Sequence, residues 1–350
     1  MRPNARHRSV VATRPMVRRR RRRRALVALG ITTALVAGTG YGAWQYIEQN
    51  EYLLDERCEV ALPEQVQRLS PSQAHNAAMI SVSAVDRELP PQAAVHAVGI
   101  SLQESELTVR QATNERDSRV LFARGARDWS QGASAQVAEA SIDGFYDMLE
   151  ERWAAEDADA EEEQNEDTEQ GSAWTPELSL DEAAEALDRP HNPSFYPQHT
   201  DRARAFALPL AGQQPVVMSC TLPQLDAPEA DPQGLTEELV ALMPNALGVS
   251  FTEAPEGQDD DEEFEPEPVL DGVVDLSGEG STAQMVIHVP ERSGDYDYLW
   301  MVAHWAVAAA YDYGVQSVAA GPYEWNRDSG IWERQETVSD DAVVIGFSRD

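Results

Sequence analysis

The segment AVHAVGISLQESELTVRQA, residues 94–112, begins as an apolar helical run and places a carboxylate, Glu104, where that run stops. A glutamate there has two readings. It is a proton donor in a half-dry cleft, where desolvation against an apolar helix end keeps a carboxyl protonated near neutral pH, or it is a surface glutamate at a helix terminus. Two cysteines, Cys58 and Cys220, bracket residues 59–219. In an oxidising compartment such a pair is expected to form one disulfide, and closing so long a loop stabilises by up to ~5 kcal/mol in the chain-entropy view. The seven histidines (7, 75, 96, 191, 199, 288 and 304) are scattered, with no CxxC or HxxxH spacing, so neither a metal nor a cofactor is expected. Two acidic runs, 154–172 and 253–269, lack EF-hand spacing with its turn glycine and read as solvated loops, not calcium sites.

The 350 residues leave room for two domains. All 27 basic residues are arginine, and 11 of them fall in residues 1–24, which hold no Asp or Glu. The remainder sets 16 arginines against 61 carboxylates. The basic head, 1–24, ends in the run Arg18 to Arg24 and is followed by ALVALGITTALVAGTGYGAWQYI, residues 25–47, which carries no charge. As a helix at ~1.5 Å per residue this stretch spans ~34 Å, enough for a hydrocarbon core of ~30 Å. Trp44 and Tyr46 stand at its far end, where amphipathic rings favour the headgroup layer. The expectation is a single transmembrane helix with the head cytoplasmic and the body outside. The small residues of GYGA also suit a cleaved secretory signal, and either reading exports the body. Polyarginine directly before an apolar span reads as a topology signal, and an acidic body argues against nucleic acid as a partner.

The elements that must position Glu104 are helical. Ser70 as N-cap and Pro71 at the first helical position open one helix, and Pro90-Pro91 precede a second. Residues 131–153 give a third, with Val137, Ile142, Phe145, Tyr146 and Leu149 near helical spacing. LSLDEAAEALDRP is a fourth, stopped before Pro190, and HTDRARAFALPLAG a short fifth. After residue 270 the pattern changes: GVVDLS and AQMVIHVP read as strands, and YDYLWMVAHWAVAAAYDYG as a helix ending at Gly314. VQSVAA, YEWNR, GIWERQ and AVVIGFS then read as four short strands. The predicted fold class is α + (α+β). It comprises a transmembrane helix (25–47), an all-α domain (58–220) carrying the acidic insertion 154–172, an acidic linker (253–269) and a small α+β domain (270–349).

Within 58–220 several motifs occur in a telling order: Cys58, NAA.I at 76–80, LP..AA at 89–94, LQES.L at 102–107, RDS..LF at 116–122, then FYDML, EAAEAL and YPQH. In this order they resemble an actinobacterial family of exported proteins with a lysozyme-like domain of the lytic-transglycosylase type. The resemblance covers about half of the chain. It implies that Glu104 is the catalytic acid. It would give a proton to the leaving oxygen of the β-1,4 bond between N-acetylmuramic acid and N-acetylglucosamine. The sugar's own 6-hydroxyl would take the place of water, and the same glutamate would later act as base. Ser105 would support it by hydrogen bonding, and Phe122, Trp129 and Tyr196 would line the substrate cleft. The implied partners are peptidoglycan glycan strands, the membrane through residues 25–47, and other envelope proteins.

The run RVLFARGARDWSQG departs from that family's pattern, with Val120 where glycine is expected and Ala123 where glutamine is expected. A close backbone approach and a polar contact to the sugar are thereby lost. The rival expectation is a catalytically degenerate scaffold that holds a glycan or a protein without turning it over. LDGVVDLSG and WAVAAAYDYGVQSVAAGPYEWNRDSGIW resemble the C-terminal domain of related cell-wall proteins, distantly similar to zinc D-Ala-D-Ala peptidases. Asp275 matches a metal-ligand position there, but Val269 replaces a histidine and the closing His-x-His is missing. One ligand of three cannot hold zinc in a catalytic geometry, so a non-catalytic module is expected. Trp300, Trp305, Trp325 and Trp332 are either glycan contacts or core.

Overall fold

In the computed structural model the described residues are 56–63, 65–109, 121–122, 138–159, 173–223, 227–252, 266–291, 294 and 296–349. The first helix, α1 (Pro71–Asp86), starts as expected. The Ser70 hydroxyl accepts from the Gln73 N–H at 3.3 Å, and Gln73 Oε1 accepts from the Ser70 N–H at 2.9 Å. This reciprocal box satisfies two donors that a helix start leaves open. Helix α2 (Pro91–Ser105) crosses beside it, and α3 (Ala138–Asp159), α4 (Leu180–Ala186) and α5 (Thr200–Leu210) pack around the pair. At Gly99 a β-carbon would lie 2.7 Å from Leu180 Cδ2 and 3.3 Å from Ala203 Cβ, so glycine is what lets α2 meet α4 and α5 closely. Trp174 ties the incoming chain to α2: its indole N–H donates to His96 Nδ1 at 3.1 Å. Since indole only donates, the His96 proton sits on Nε2, which donates to the Leu178 carbonyl at 3.0 Å. Burial pushes His96 down to about 4, which keeps it neutral.

The all-α expectation for 58–220 is overturned. Strands β1 (Arg57–Ala61), β2 (Val66–Leu69) and β3 (Met218–Thr221) form an antiparallel sheet in the order β2-β1-β3. The register sets Cys58 directly opposite Cys220, and the two are joined as the expected disulfide. Helix α6 (Pro232–Leu242) and a two-stranded ribbon of β4 (Ser250–Phe251) with β5 (Pro268–Val269) were not anticipated either.

The division into an all-α and a separate α+β domain fails for a second reason. Residues Glu56–Asp350 form one compact unit. Helix α7 (Tyr298–Tyr313) is apolar from Leu299 to Ala310 apart from His304, and every one of those residues is buried. A helix with no polar face cannot form the surface of a domain. It packs instead on α1 and α5 on one side and on β8 (Ser317–Asn326) and β9 (Ile331–Gly346) on the other. Gly314 ends α7 in the left-handed region at φ 70°, as expected, with the Glu229 carbonyl where a β-carbon would fall.

The four short strands expected after Gly314 are two long ones, paired antiparallel with register shifts around Gly321. With β6 (Val274–Ser277) and β7 (Gln284–His288) they make a four-stranded sheet in the order β6-β7-β9-β8. Helix α3 continues to Asp159, into the acidic run expected to be unstructured. Among the described residues no helix is long and apolar enough to cross a membrane. Residues 25–47, on which the transmembrane expectation falls, lie outside the described residues, as do 253–265 and most of 154–172.

Candidate functional site

Glu104 sits in the last turn of α2, one residue before its end. The chain then turns through Glu106 and Leu107, both in the left-handed region at φ 57° and 53°. Neither is glycine, so each costs of order 1 kcal/mol or more. Side chains of α1 hold the turn in place: Gln73 Nε2 donates to the Glu106 carbonyl and Asn76 Nδ2 to the Leu107 carbonyl, both at 2.8 Å.

The carboxylate itself points inward. Arg189 Nε donates to Glu104 Oε1 at 2.8 Å, and Arg189 Nη2 donates to Oε2 at 2.6 Å. The Tyr196 hydroxyl donates to Oε1 at 3.2 Å. Both charged side chains have 0% exposure. Burial and the neighbouring Glu104 charge push the Tyr196 phenol up, so it stays a donor. The Arg189 guanidinium also lies over the Phe145 ring, 5.8 Å from its centre, and Phe145 stacks on Phe122 at 4.1 Å.

The structure therefore brings Glu104 and Tyr196 together, in the interior. Phe122 is buried at 1% exposure and serves as packing under the pair. Ser105 is also buried, and its hydroxyl turns away from Glu104 to the Leu121 carbonyl, at 2.8 Å. Ser101 donates to the same carbonyl at 2.9 Å, so the two serines tether Leu121-Phe122 to α2. Trp129, Val120 and Ala123 lie outside the described residues. Arg189 is the residue that sequence reasoning missed. It stands in the LDRP stop of α4, read there only as a helix end, and no spacing rule links positions 104 and 189.

A general acid must reach the oxygen it protonates. Here both carboxylate oxygens are occupied by a two-pronged guanidinium, and the carboxylate side chain has no exposure. Bidentate pairs of this kind are among the stronger polar contacts, and they fix structure well.

A second cluster, buried at His75 and Glu238, was also missed. His75 of α1 lies between Glu238 Oε1 of α6 at 2.8 Å and Asp312 Oδ2 of α7 at 2.7 Å. Glu238 further accepts from Trp305 Nε1 at 2.8 Å and from the Tyr313 hydroxyl at 2.7 Å. Burial works against a charge on His75, but the two carboxylates outweigh it and raise His75 to about 10. Glu238 is held below its ordinary range: burial opposes this, and the His75 charge and three donors prevail. The imidazolium thus joins three helices.

Above the sealed carboxylate the surface is different in kind. The Phe195 ring is 54% exposed. Beside it Gln103 Oε1 accepts from Gln198 Nε2 and from His199 Nε2, each at 3.0 Å. Among the four tryptophans weighed as glycan contacts, Trp305 and Trp325 are at 0% exposure and Trp300 at 7%. Trp332 is half-buried against Trp300, with its indole N–H on the Met218 carbonyl. Asp275 pairs with His288 across β6 and β7 at 3.0 Å, with both side chains exposed. Among the described residues no three His, Cys, Asp or Glu side chains gather as a metal-ligand set.

Set against protein-family models, curated proteins and solved structures, the chain finds no match in any of the three. The functional reading therefore stands on geometry and chemistry.

Proposed function

We propose that the body of this protein is a non-catalytic binding module of the cell envelope that holds glycan strands without cleaving them. The observation that carries this reading is the Glu104–Arg189 pair, closed at 2.8 and 2.6 Å with both side chains fully covered. The residue that a transglycosylase would need as proton donor is committed to the interior. Exposed Phe195, with the amides of Gln103 and Gln198 beside it, offers what a sugar takes from a protein: a flat apolar ring for the C–H face and amides for the hydroxyls. Placement on the exported side is supported by the disulfide between Cys58 and Cys220 and by the uncharged run 25–47 behind an arginine-rich head.

The test is incubation of the purified full chain with peptidoglycan sacculi. The expected outcome is co-sedimentation with the sacculi, no release of soluble anhydro-muropeptides, and weakened sedimentation for Phe195→Ala. Released fragments would restore the enzyme, and a chain that stays in the supernatant would remove the glycan.

A further inference from the structure

The face of the four-stranded sheet turned away from α7 carries a row of residues in register across all four strands. Ser277 of β6 pairs with Gln284 of β7, Gln284 with Gly346 of β9, and Gly346 with Ser317 of β8. Residues paired in register share one face, and all four line the same cavity of ≈ 610 Å³. At Gly346 a β-carbon would come within 2.6 Å of the Ser317 hydroxyl, so a side chain there would crowd the floor. The absence of one keeps the middle of the row open.

The wall over this floor is the far end of the β8–β9 hairpin, which curls back on its own start. The Arg327 N–H donates to the Gln316 carbonyl at 2.8 Å. The Arg327 guanidinium, 1% exposed, donates to the Ala310 and Val315 carbonyls at the end of α7, at 2.8 and 3.0 Å. That buried arginine pins the hairpin tip where Glu324 and Asp328 line the cavity. Arg349 lines the same cavity, anchored through Nη2 to the Ala227 carbonyl at 3.1 Å. Arg349 and Gln316 also line an adjoining cavity of ≈ 550 Å³, so the two lobes meet at these residues. Each lobe is within the usual range for small-ligand sites, about 300–1,000 Å³.

The charges decide the ligand. Among the described residues Arg349, like Arg202, Arg204, Arg327 and Arg334, makes no ion pair within 4 Å, whereas Arg57, Arg68, Arg87, Arg152 and Arg189 each pair with a carboxylate. Opposite charges thus line one groove, with a floor of hydroxyls and an amide, without closing into an ion pair. A net anion would be repelled by a body with 16 arginines against 61 carboxylates. A neutral ligand would desolvate both signs of charge without replacing their water. A zwitterion meets both.

We infer that this groove binds a short peptide through its free ends, with the ammonium at Glu324 and Asp328 and the carboxylate at Arg349. The floor row offers hydroxyls and an amide to the peptide bonds between. The site shares no residue with the Phe195 surface and is independent of the glycan reading.

Calorimetric titration of the full chain with the tripeptide Ala-Ala-Ala tests it, alongside the same peptide acetylated and amidated and a neutral chitin disaccharide. The free tripeptide is expected to bind, and capping either end to weaken it about tenfold, the equivalent of one lost charge-assisted contact. Arg349→Gln should weaken the free peptide by a similar factor yet leave the C-terminal amide unchanged, and Glu324→Gln should do the same at the ammonium end. Sacculus sedimentation should be unchanged in both variants, which separates failure here from failure of the glycan reading. Equal binding of capped and free peptide, preference for the disaccharide, or no heat from any ligand would overturn the inference.

Discussion

The Glu104 pocket and the groove on the sheet face hold the same kinds of charge in opposite arrangements. In the first, a carboxylate and a guanidinium meet at two points with no exposure to water. In the second, Arg349 shares one cavity with Glu324 and Asp328 and does not pair with them. Bringing two charges out of water costs several kcal/mol per ion, and only close pairing offsets it. Such a pair is committed to the fold. Charges that remain hydrated and apart cost the fold little and stay available to something that arrives later. Residue type and position at a helix end do not reveal which of the two cases applies; the partner does.

Breaking the buried pair should produce the largest effect. Glu104→Leu leaves a guanidinium in the interior without its carboxylate and is expected to cost about 3–5 kcal/mol, read from urea denaturation. Replacing both partners, Glu104→Leu with Arg189→Met, should recover most of that loss, because a packed apolar pair no longer strands a charge. If the single substitution cost less than ~1 kcal/mol, the pair would be a surface contact, and the carboxylate would again be a candidate acid.

The His75 cluster lies between the two cases, since Glu238 is buried while the Asp312 side chain is 43% exposed. His75→Ala removes two charge-assisted hydrogen bonds and should cost about 2–3 kcal/mol. The pH dependence has a definite sign. The folded value of about 10 stands above the ordinary 6.5, so the stabilisation is complete below pH 6.5 and fades as pH rises through 10. Glu238 is shifted the other way. Its contribution is present above its ordinary 4.5 and is lost as pH falls below that value. Thermal melts between pH 6 and pH 10 should decline in the parent and much less in His75→Ala; parallel curves would show that His75 is neutral in the folded state.

Much of the helical scaffold was legible because its signals are local. Ser70-Pro71, Pro90-Pro91 and Gly314 each mark an end by the chemistry of one or two residues, and the ends fall there, while α4 stops at Ala186, short of Pro190. The disulfide was legible from compartment and count. What failed is non-local. Strands β1, β2 and β3 have four or five residues each, too short for alternation to register, and they exist because pairing across the sequence satisfies their backbones. The apolarity of α7, broken only by His304 between Leu299 and Ala310, is visible in the sequence, but that such a helix joins the two halves depends on what packs against it. The site divides along the same line. Glu104 and Tyr196 were named and do meet, whereas Arg189, which decides what Glu104 can do, lies 85 positions away.

The smallest effect is expected at the groove. Arg349 is exposed, and its anchor in the described structure is one hydrogen bond to the Ala227 carbonyl. Arg349→Gln should therefore change stability by no more than ~0.5 kcal/mol, as surface substitutions away from buried networks do. Glu324 is half-buried and accepts from Gln335 Nε2 at 2.8 Å, a bond that glutamine at 324 can keep through its own carbonyl. Glu324→Gln should be equally mild. Near-neutral stability with altered ligand affinity is the signature of charges left for a partner. A loss at Arg349 approaching that of Glu104→Leu would mean that the sheet-face arginine, like Arg189, belongs to the fold. The contrast between the two regions would then vanish, because both guanidiniums would be structural.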